Sequence, residues 1–316
     1  HYRLQRTDGY WVMFEFINPA FVDSLNERIV LVATASTISL ADAVLSLKKW
    51  VPDYSGNCIR IRRSSDNAEL NIGFAGDGFV NASAITTHCA GSDGFIVTWY
   101  DQSGNGYNAT QSTAGSQAQI ATAGEWDGDA YAGSSIINGS DSKPAATFAA
   151  DYYVLVPTNG YVSKNGTAVV HGQPNASTSR YAYGEKISGG VVFGACGVHY
   201  PSSPKIFLCH WNSASWACPH GVAAVANGTM RSIINIVDAG GNAAGITSAT
   251  VYGYENNSEK FSQGSINSTL NSNTLIGSAF GSSIGGLNAW DGELRTLILF
   301  REVLTSDQRA EFNTMV

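Results

Sequence analysis

The sequence predicts an all-β fold: a two-sheet antiparallel jelly-roll sandwich with a short N-terminal helix and a short C-terminal helix. Three observations predict it. Charged residues are only 14% of the 316, well below the usual quarter, and Gly, Ser, Thr, Asn and Ala take their place. Short apolar runs bounded by turn residues recur along almost the whole chain, the pattern of many strands joined by tight turns. Helical spacing is confined to two stretches, one near each end. A core of this size needs no disulfide or metal to stay folded.

Residues 1–36 differ from the rest. The runs Tyr10–Phe16 and Arg28–Val32 read as strands with a polar stretch, Asp23–Glu27, between them. This segment is expected to be an extra strand pair, or a junction to another domain or chain, with residues 37–316 forming the sandwich. A helix is expected next. Ser39 caps it, Asp42 stands three residues on, Leu40, Ala43, Val44 and Leu47 form an apolar stripe, and Pro52 ends it. Strands follow at Cys58–Arg62, Gly94–Tyr100, Thr167–His171, Gly190–Gly194, Lys205–Leu208, Arg231–Val237, Thr250–Tyr254 and Thr274–Gly277. The last long strand is Gly292–Phe300. A short helix capped by Thr305 or Ser306 then turns Phe312 inward. No repeat of solenoid period is present.

Charge narrows the partners. The net charge of −7 argues against a nucleic-acid backbone. Arg60, Arg62 and Arg63 alternate with Ile59 and Ile61 and read as one polar strand face. No apolar run reaches membrane-spanning length, so no membrane insertion is expected. The chain opens on His1 with no signal-peptide pattern, which reads as processing or as a piece of a longer product. The five cysteines, Cys58, Cys89, Cys196, Cys209 and Cys218, show no C-x-x-C pair. Buried free thiols are favoured over a Cys209–Cys218 bridge.

Three stretches carry a resemblance. Cys58–Phe74 and Thr98–Thr110, the latter containing Trp99-Tyr-Asp-Gln-Ser-Gly-Asn-Gly106, resemble the N-terminal half of the arabinofuranosidase B catalytic domain and related domains of phage tail and capsid-fibre proteins. Trp290–Gln308 is similar to the closing strand and helix of laminin-G-like, concanavalin A-type domains. The resemblance spans residues 37–316 and implies the same two-sheet jelly roll.

The Asp101–Gly106 stretch is first a turn. Asp101 is placed to bond the backbone two residues on, and Gly104 and Gly106 supply positive φ. A calcium site from Asp101 and Asn105 is the secondary reading, weakened by its single carboxylate. No other cofactor is implied. A phosphate-cradling role for the glycines fails because neither a helix nor a lysine follows.

A glycosidase needs two carboxyl groups flanking the scissile bond. In the family resembled, the nucleophile is a Glu in the middle third and the acid/base an Asp shortly before the closing strand. The comparable stretches here, Phe207–Ser213 and Leu275–Gly286, contain no carboxylate, and Cys196 stands alone where the family has an adjacent pair. The remaining candidates are Glu185, Asp238, Asp291 and Glu293. Asp291 and Glu293 lie two apart and share a face, although both also belong to the closing-strand pattern. Asp127 and Asp129 read as solvated loop residues. No serine-nucleophile elbow is present, and His199, His210 and His220 match no metal spacing.

The segment from His199 to Trp216 is rich in aromatics and prolines. Sugar rings stack on Trp and Tyr faces, so Tyr200, His210, Trp211, Asn212 and Trp216 are the expected carbohydrate platform; the competing reading makes the tryptophans core or subunit-contact residues. Eight N-x-[ST] triplets carry little information in so Asn-, Ser- and Thr-rich a chain.

These features predict a non-catalytic virion or surface protein, a phage capsid-fibre or tail component. It would bind glycan or cell-surface polysaccharide, act on the virion or outside the cell, and contact other virion proteins. The resemblance further implies a homo-oligomer, commonly a trimer. The alternatives are a glycoside hydrolase of the arabinofuranosidase type with altered catalytic residues, and a purely structural coat subunit.

Overall fold

The computed structural model describes residues 2–5, 11–14, 32–33, 36–124, 133–149, 154–156, 166–175, 180–187, 191–199, 205–211, 216–217, 228–238, 249–266, 275–281 and 290–312. The N-terminal segment forms a three-stranded antiparallel sheet of Tyr2–Gln5, Trp11–Phe14 and Val32–Ala33. The remaining strands build two facing antiparallel sheets.

The first sheet runs Ala43–Ser46, Gly292–Phe300, Gly166–Pro174, Arg231–Asp238, Ala249–Glu255, Ser258–Ile266. The second runs Glu69–Ile72, Ile59–Arg63, Gly94–Trp99, Ala109–Thr110, Val154–Val156, Leu275–Phe280, Arg180–Ile187, Val191–His199, Lys205–Trp211, Trp216–Ala217. At one edge Gln119–Thr122 pairs with Gly94–Trp99 and, through Gln119, with Thr147, while Ala146–Phe148 pairs with the start of the closing strand. The two sheets are thereby joined into one sandwich, the jelly-roll class the sequence predicts.

Alternation decides which residues fill the middle. Ala168 and Val170, Leu297 and Leu299, Leu45 and Leu47 point between the sheets, where they meet Ile59, Ile61, Ile96, Trp99, Ala182 and Tyr183 of the opposing sheet. Their neighbours Val169, Ile298, Phe300, Ile234 and Val44 point to the outer face. There Trp50, Leu304 and Phe312 cover them in a second apolar cluster. The central strands of the first sheet are therefore buried on both faces, and their middles, Ala168–Val170 and Leu297–Phe300, are unbroken apolar stretches.

That two-sided burial also explains why the expected N-terminal helix is a strand. The expected helix from Ser39 to Pro52 is instead a 3-10 turn at Thr37–Leu40 followed by a strand, Ala43–Ser46, paired with Leu299 through Thr296. A short, mostly apolar stretch buried on both faces, Ala43–Leu47, satisfies helical and strand spacing alike. Leu40, placed on the predicted inner stripe, is 39% exposed. Asp42 caps nothing and instead accepts from the Arg301 backbone N at 2.8 Å.

A helix lies elsewhere, at Ala82–Cys89. The Asn81 side chain caps it by accepting from Ala84 N at 3.0 Å. Only Ile85 and Cys89, four apart, are buried, too narrow a stripe to stand out. The C-terminal helix, Ser306–Ala310, forms as expected. Thr305 is its cap, with Gln308 completing a capping box, and Phe312 is fully buried. Cys58 and Cys89 are buried free thiols. The three arginines do not share one face: Arg60, which pairs with Glu69 at 2.6 Å, alternates with Ile59 and Ile61, whereas Arg63, which pairs with Asp66 at 2.6 Å, falls on the isoleucine side at the strand's end.

His171 sits beneath this outer cluster, against Trp50, and its Nε2 donates to the Phe312 carbonyl at 3.2 Å. Burial, the largest cause, pulls its pKa down from 6.5 to about 4, with Arg295 and Lys48 adding to the effect. The folded chain thus keeps this ring neutral where the unfolded chain takes a proton. The group's stabilising contribution is complete above pH 6.5 and is lost as pH falls through about 4. That depression is worth about 3 kcal/mol. Urea unfolding at pH 7 and pH 4 should show this loss, and His171→Gln should remove about 3 kcal/mol of the difference between the two pH values.

Candidate functional site

Two polar clusters sit on the first strand and the closing strand. The first is the Asp101 turn, whose carboxylate is buried. Oδ1 accepts from Val44 N at 2.8 Å and Ser103 N at 2.9 Å; Oδ2 accepts from Ser103 Oγ at 2.7 Å and Tyr107 N at 3.0 Å. Gln102 continues the stitch: its Nε2 donates to the carbonyls of Ser46 and Lys48, and its Oε1 accepts from Trp50 N at 2.9 Å. The expected Asx-turn is present, with Gly104 and Gly106 at φ +88° and +77°. Four donor hydrogens converge on the carboxylate, and the Asn105 amide donates to Asp42 O at 2.9 Å. A cation at Asp101 and Asn105 would have to displace these donors. Among the described residues no three His, Cys, Asp or Glu side chains gather as a metal site.

The second cluster surrounds Glu293. Its Oε2 accepts from Asn175 Nδ2 at 2.8 Å and from Gln173 Nε2 at 2.9 Å. Both amides come from the end of the neighbouring strand, Gly166–Pro174 and the residue after it. Gln173 is itself oriented by Ser140 N, which donates to its Oε1 at 2.8 Å. Gly292 makes this approach possible. Its φ of +138° lies where side chains are rarely tolerated, and a Cβ there would strike the Gln173 carbonyl. Asn175 N can then donate to the Asp291 carbonyl at 2.8 Å.

Electrostatics set Glu293 apart. Burial, the largest cause, pushes its pKa above the ordinary value; the Asp291 charge adds to this, and the two amides oppose it. A half-buried carboxyl raised by desolvation and by a second carboxylate is the arrangement of a proton donor. Because both amides occupy Oε2, Oε1 is the oxygen left to carry the proton.

The other predicted residues fall as follows. His210 and Trp211 lie on strand Lys205–Trp211, and Trp216 on strand Trp216–Ala217, with Trp211 directly opposite Trp216. Tyr200 and Asn212, and with them Asp127 and Asp129, lie outside the described residues. So do His220 and Cys218. Glu185 pairs on the backbone with Phe193 and Ser278 in the second sheet. Asp238 ends strand Arg231–Asp238 of the first sheet. The structure brings Asp291 and Glu293 together and leaves Glu185 in the opposite sheet. Gln173 and Asn175 carry no sequence signal: a strand-end Gln-Pro-Asn holds no motif, and Asn175 opens one of the eight N-x-[ST] triplets.

The described strands form a two-sheet sandwich of the jelly-roll class, with a half-buried carboxyl on its closing strand. The α-L-arabinofuranosidase B catalytic model matches residues 34–203, and the chain belongs to that family. A probable α-L-arabinofuranosidase B of Aspergillus terreus is 40% identical over 63 residues, 20% of this chain and 12% of that protein. An α-L-arabinofuranosidase of Hypocrea jecorina is 39% identical over 62 residues, with the same shares. Among solved structures, an arabinofuranosidase complexed with arabinofuranosyl-α-1,2-xylobiose superposes with a TM-score of 0.59 at 15% identity, covering 87% of this chain and 61% of that one. A GH54 α-L-arabinofuranosidase soaked with a cyclic sulfate inhibitor gives 0.59 at 14%, covering 87% and 62%. The aligned part is thus a small share of the curated relatives' length and about three-fifths of the solved chains.

These matches correct the expectation of a non-catalytic phage fibre, tail or coat protein. The stretches that suggested it, Cys58–Phe74 and Thr98–Thr110, fall inside the arabinofuranosidase match. Those stretches form the framework, which does not distinguish one carrier of the fold from another.

The Asp101 clamp predicts a stability cost. In Asp101→Asn an amide N–H2 replaces an acceptor oxygen facing two donors. The variant should lose about 3 kcal/mol in urea unfolding, since hydrogen bonds to a buried charge are worth about 1.5–3 kcal/mol each.

Proposed function

We propose that the chain is a glycoside hydrolase of the arabinofuranosidase type whose proton donor is Glu293. Family membership supplies the class of reaction and the glycan substrate. The half-buried position of Glu293 near Asp291, with its Oε2 gripped by Gln173 and Asn175, is the observation that carries the assignment; burial and the Asp291 charge push its carboxyl above the ordinary range. The stretches where the family keeps its carboxylates have none here, so the chemistry runs through a pair on the closing strand.

Glu293 Oε1 gives its proton to the glycosidic oxygen as the bond from that oxygen to the anomeric carbon breaks. Positive charge develops on the sugar ring, and the leaving group departs as an alcohol. Asp291 is the second carboxylate. It takes a proton from the water that adds to the anomeric carbon, which returns both groups to their starting charge after one further proton exchange with solvent. Gln173 and Asn175 hold the Glu293 carboxyl in one orientation throughout. The paired backbone positions of Trp211 and Trp216 make that hairpin the candidate platform for the sugar's apolar face.

Hydrolysis of 4-nitrophenyl α-L-arabinofuranoside tests this reading. Glu293→Gln should lower kcat by about 100-fold or more, the usual contribution of a general acid. Activity in the parent chain should fall as pH rises, because the donor must be protonated. Its upper limb should sit above the ordinary carboxylate range, in the direction Glu293 is shifted. A parent chain that binds the glycoside without cleaving it, or a Glu293→Gln variant with full activity, would sink the assignment.

A further inference from the structure

Two residues along the closing strand from Glu293, Arg295 fastens a turn, residues 139–144. It is 1% exposed, and its two terminal nitrogens take both oxygens of Asp141, at 2.6 and 2.5 Å. Its Nε donates to the Pro144 carbonyl at 2.9 Å, and its Nη2 also to the Lys143 carbonyl at 3.0 Å. Within the turn Gly139 N donates to Lys143 O and Ser142 N to Gly139 O, each at 2.9 Å. The turn closes tightly over the fork: a Cβ at Gly139 would come within 3.2 Å of Asp141 Oδ1 and 3.3 Å of Arg295 Nη2. Met230 N, donating to Ser140 Oγ at 2.8 Å, ties it to the next strand of the sheet.

What the turn delivers is one backbone donor. Ser140 N donates to Gln173 Oε1 at 2.8 Å, and Gln173 Nε2 donates to Glu293 Oε2 at 2.9 Å. A glutamine amide has an acceptor end and a donor end of nearly the same shape, so its neighbours decide which way it points. A backbone N–H can only donate. It therefore draws the oxygen end of Gln173 and presents the NH2 end to Glu293. With the amide reversed, two donors would meet at Ser140 and two oxygens at Glu293. The polarity of this one amide thus fills Oε2 and leaves Oε1 for the proton. A buried ion pair adds little net stability, because desolvating two charges offsets much of their attraction. Asp141 and Arg295 are better explained by the arrangement they fix.

We propose that Asp141 and Arg295 are positioning residues of the Glu293 site: their ion pair fixes the turn, the turn fixes the Gln173 amide, and the amide fixes which Glu293 oxygen is left for the substrate. The consequence for turnover rests on the hydrolase reading; the chain of hydrogen bonds does not. Both residues act through Gln173. Loosening the turn therefore costs rate rather than binding, since a misplaced catalytic group lowers kcat while the contacts to the sugar remain.

The test combines Asp141→Leu with Arg295→Met in the full chain. Apolar residues of similar size in place of a buried ion pair are often neutral or stabilising, so the melting temperature should hold. On 4-nitrophenyl α-L-arabinofuranoside, kcat should fall about tenfold with KM unchanged; the loss is limited because Asn175 still holds Oε2. A second readout needs no turnover. Solvent exchange of the Gln173 side-chain amide protons, followed by NMR, should quicken about tenfold once the turn is loose. Arg295→Lys keeps the buried charge but cannot fork a carboxylate and reach two carbonyls at once. It should fall between the parent and the double variant on both readouts, and it decides the matter if the double variant does not fold. Unchanged amide exchange would overturn the positioning role, with or without activity. So would an active parent whose variants keep full kcat or change only in KM. A parent that cleaves no glycoside, with variants that still free the Gln173 amide, would sink the hydrolase reading and leave the positioning chain standing.

Discussion

The sandwich depends on one buried interaction, the grip of Asp101 and Gln102 on the first strand of the fold. The strand Ala43–Ser46 and the residues after it must satisfy backbone groups inside a core with no water. Asp101 Oδ1 takes the Val44 N–H, and Gln102 takes two carbonyls and one N–H between Ser46 and Trp50. With those groups satisfied, Leu45 and Leu47 can fill the space between the sheets and Val44 the outer cluster. The strand then pairs with Gly292–Phe300, whose own edge carries Glu293. The motif Trp-Tyr-Asp-Gln-Ser-Gly-Asn-Gly is therefore framework, and it lies within the family match over residues 34–203.

Much of this framework was legible in the sequence. The Asx-turn, the closing strand and the capped C-terminal helix each follow from local rules acting on adjacent residues. The first strand did not, because burial on both faces erases the period of two that identifies strands. Helix Ala82–Cys89 escaped for the opposite reason: it buries only Ile85 and Cys89, and its cap, Asn81, hides among many similar asparagines. Several of those asparagines have specific work. Asn108 Oδ1 accepts from Asp101 N, Asn175 holds Glu293, and Asn256 Oδ1 accepts from Ser232 N. A composition that looks like low-information turn material is partly a set of backbone and carboxylate partners.

The candidate site was harder to read. Asp291 and Glu293 were visible as a same-face pair, but their environment was not. Desolvation of Glu293, the amides of Gln173 and Asn175, and the conformation of Gly292 all arise from a contact between strands more than a hundred residues apart. No spacing rule in a single chain reports such a contact. The sequence does state one fact the fold cannot change: Leu275–Gly286 and Phe207–Ser213 contain no carboxylate. Family membership and that absence together direct attention to the closing strand, and the electrostatics of Glu293 meet it there.

A crystal structure of the chain soaked with an arabinofuranosyl ligand tests this most directly. The account predicts a sugar whose glycosidic oxygen lies within hydrogen-bonding distance of Glu293 Oε1, with Gln173 and Asn175 still on Oε2. A sugar bound in the second sheet beside Glu185, with Glu293 unoccupied, would contradict it.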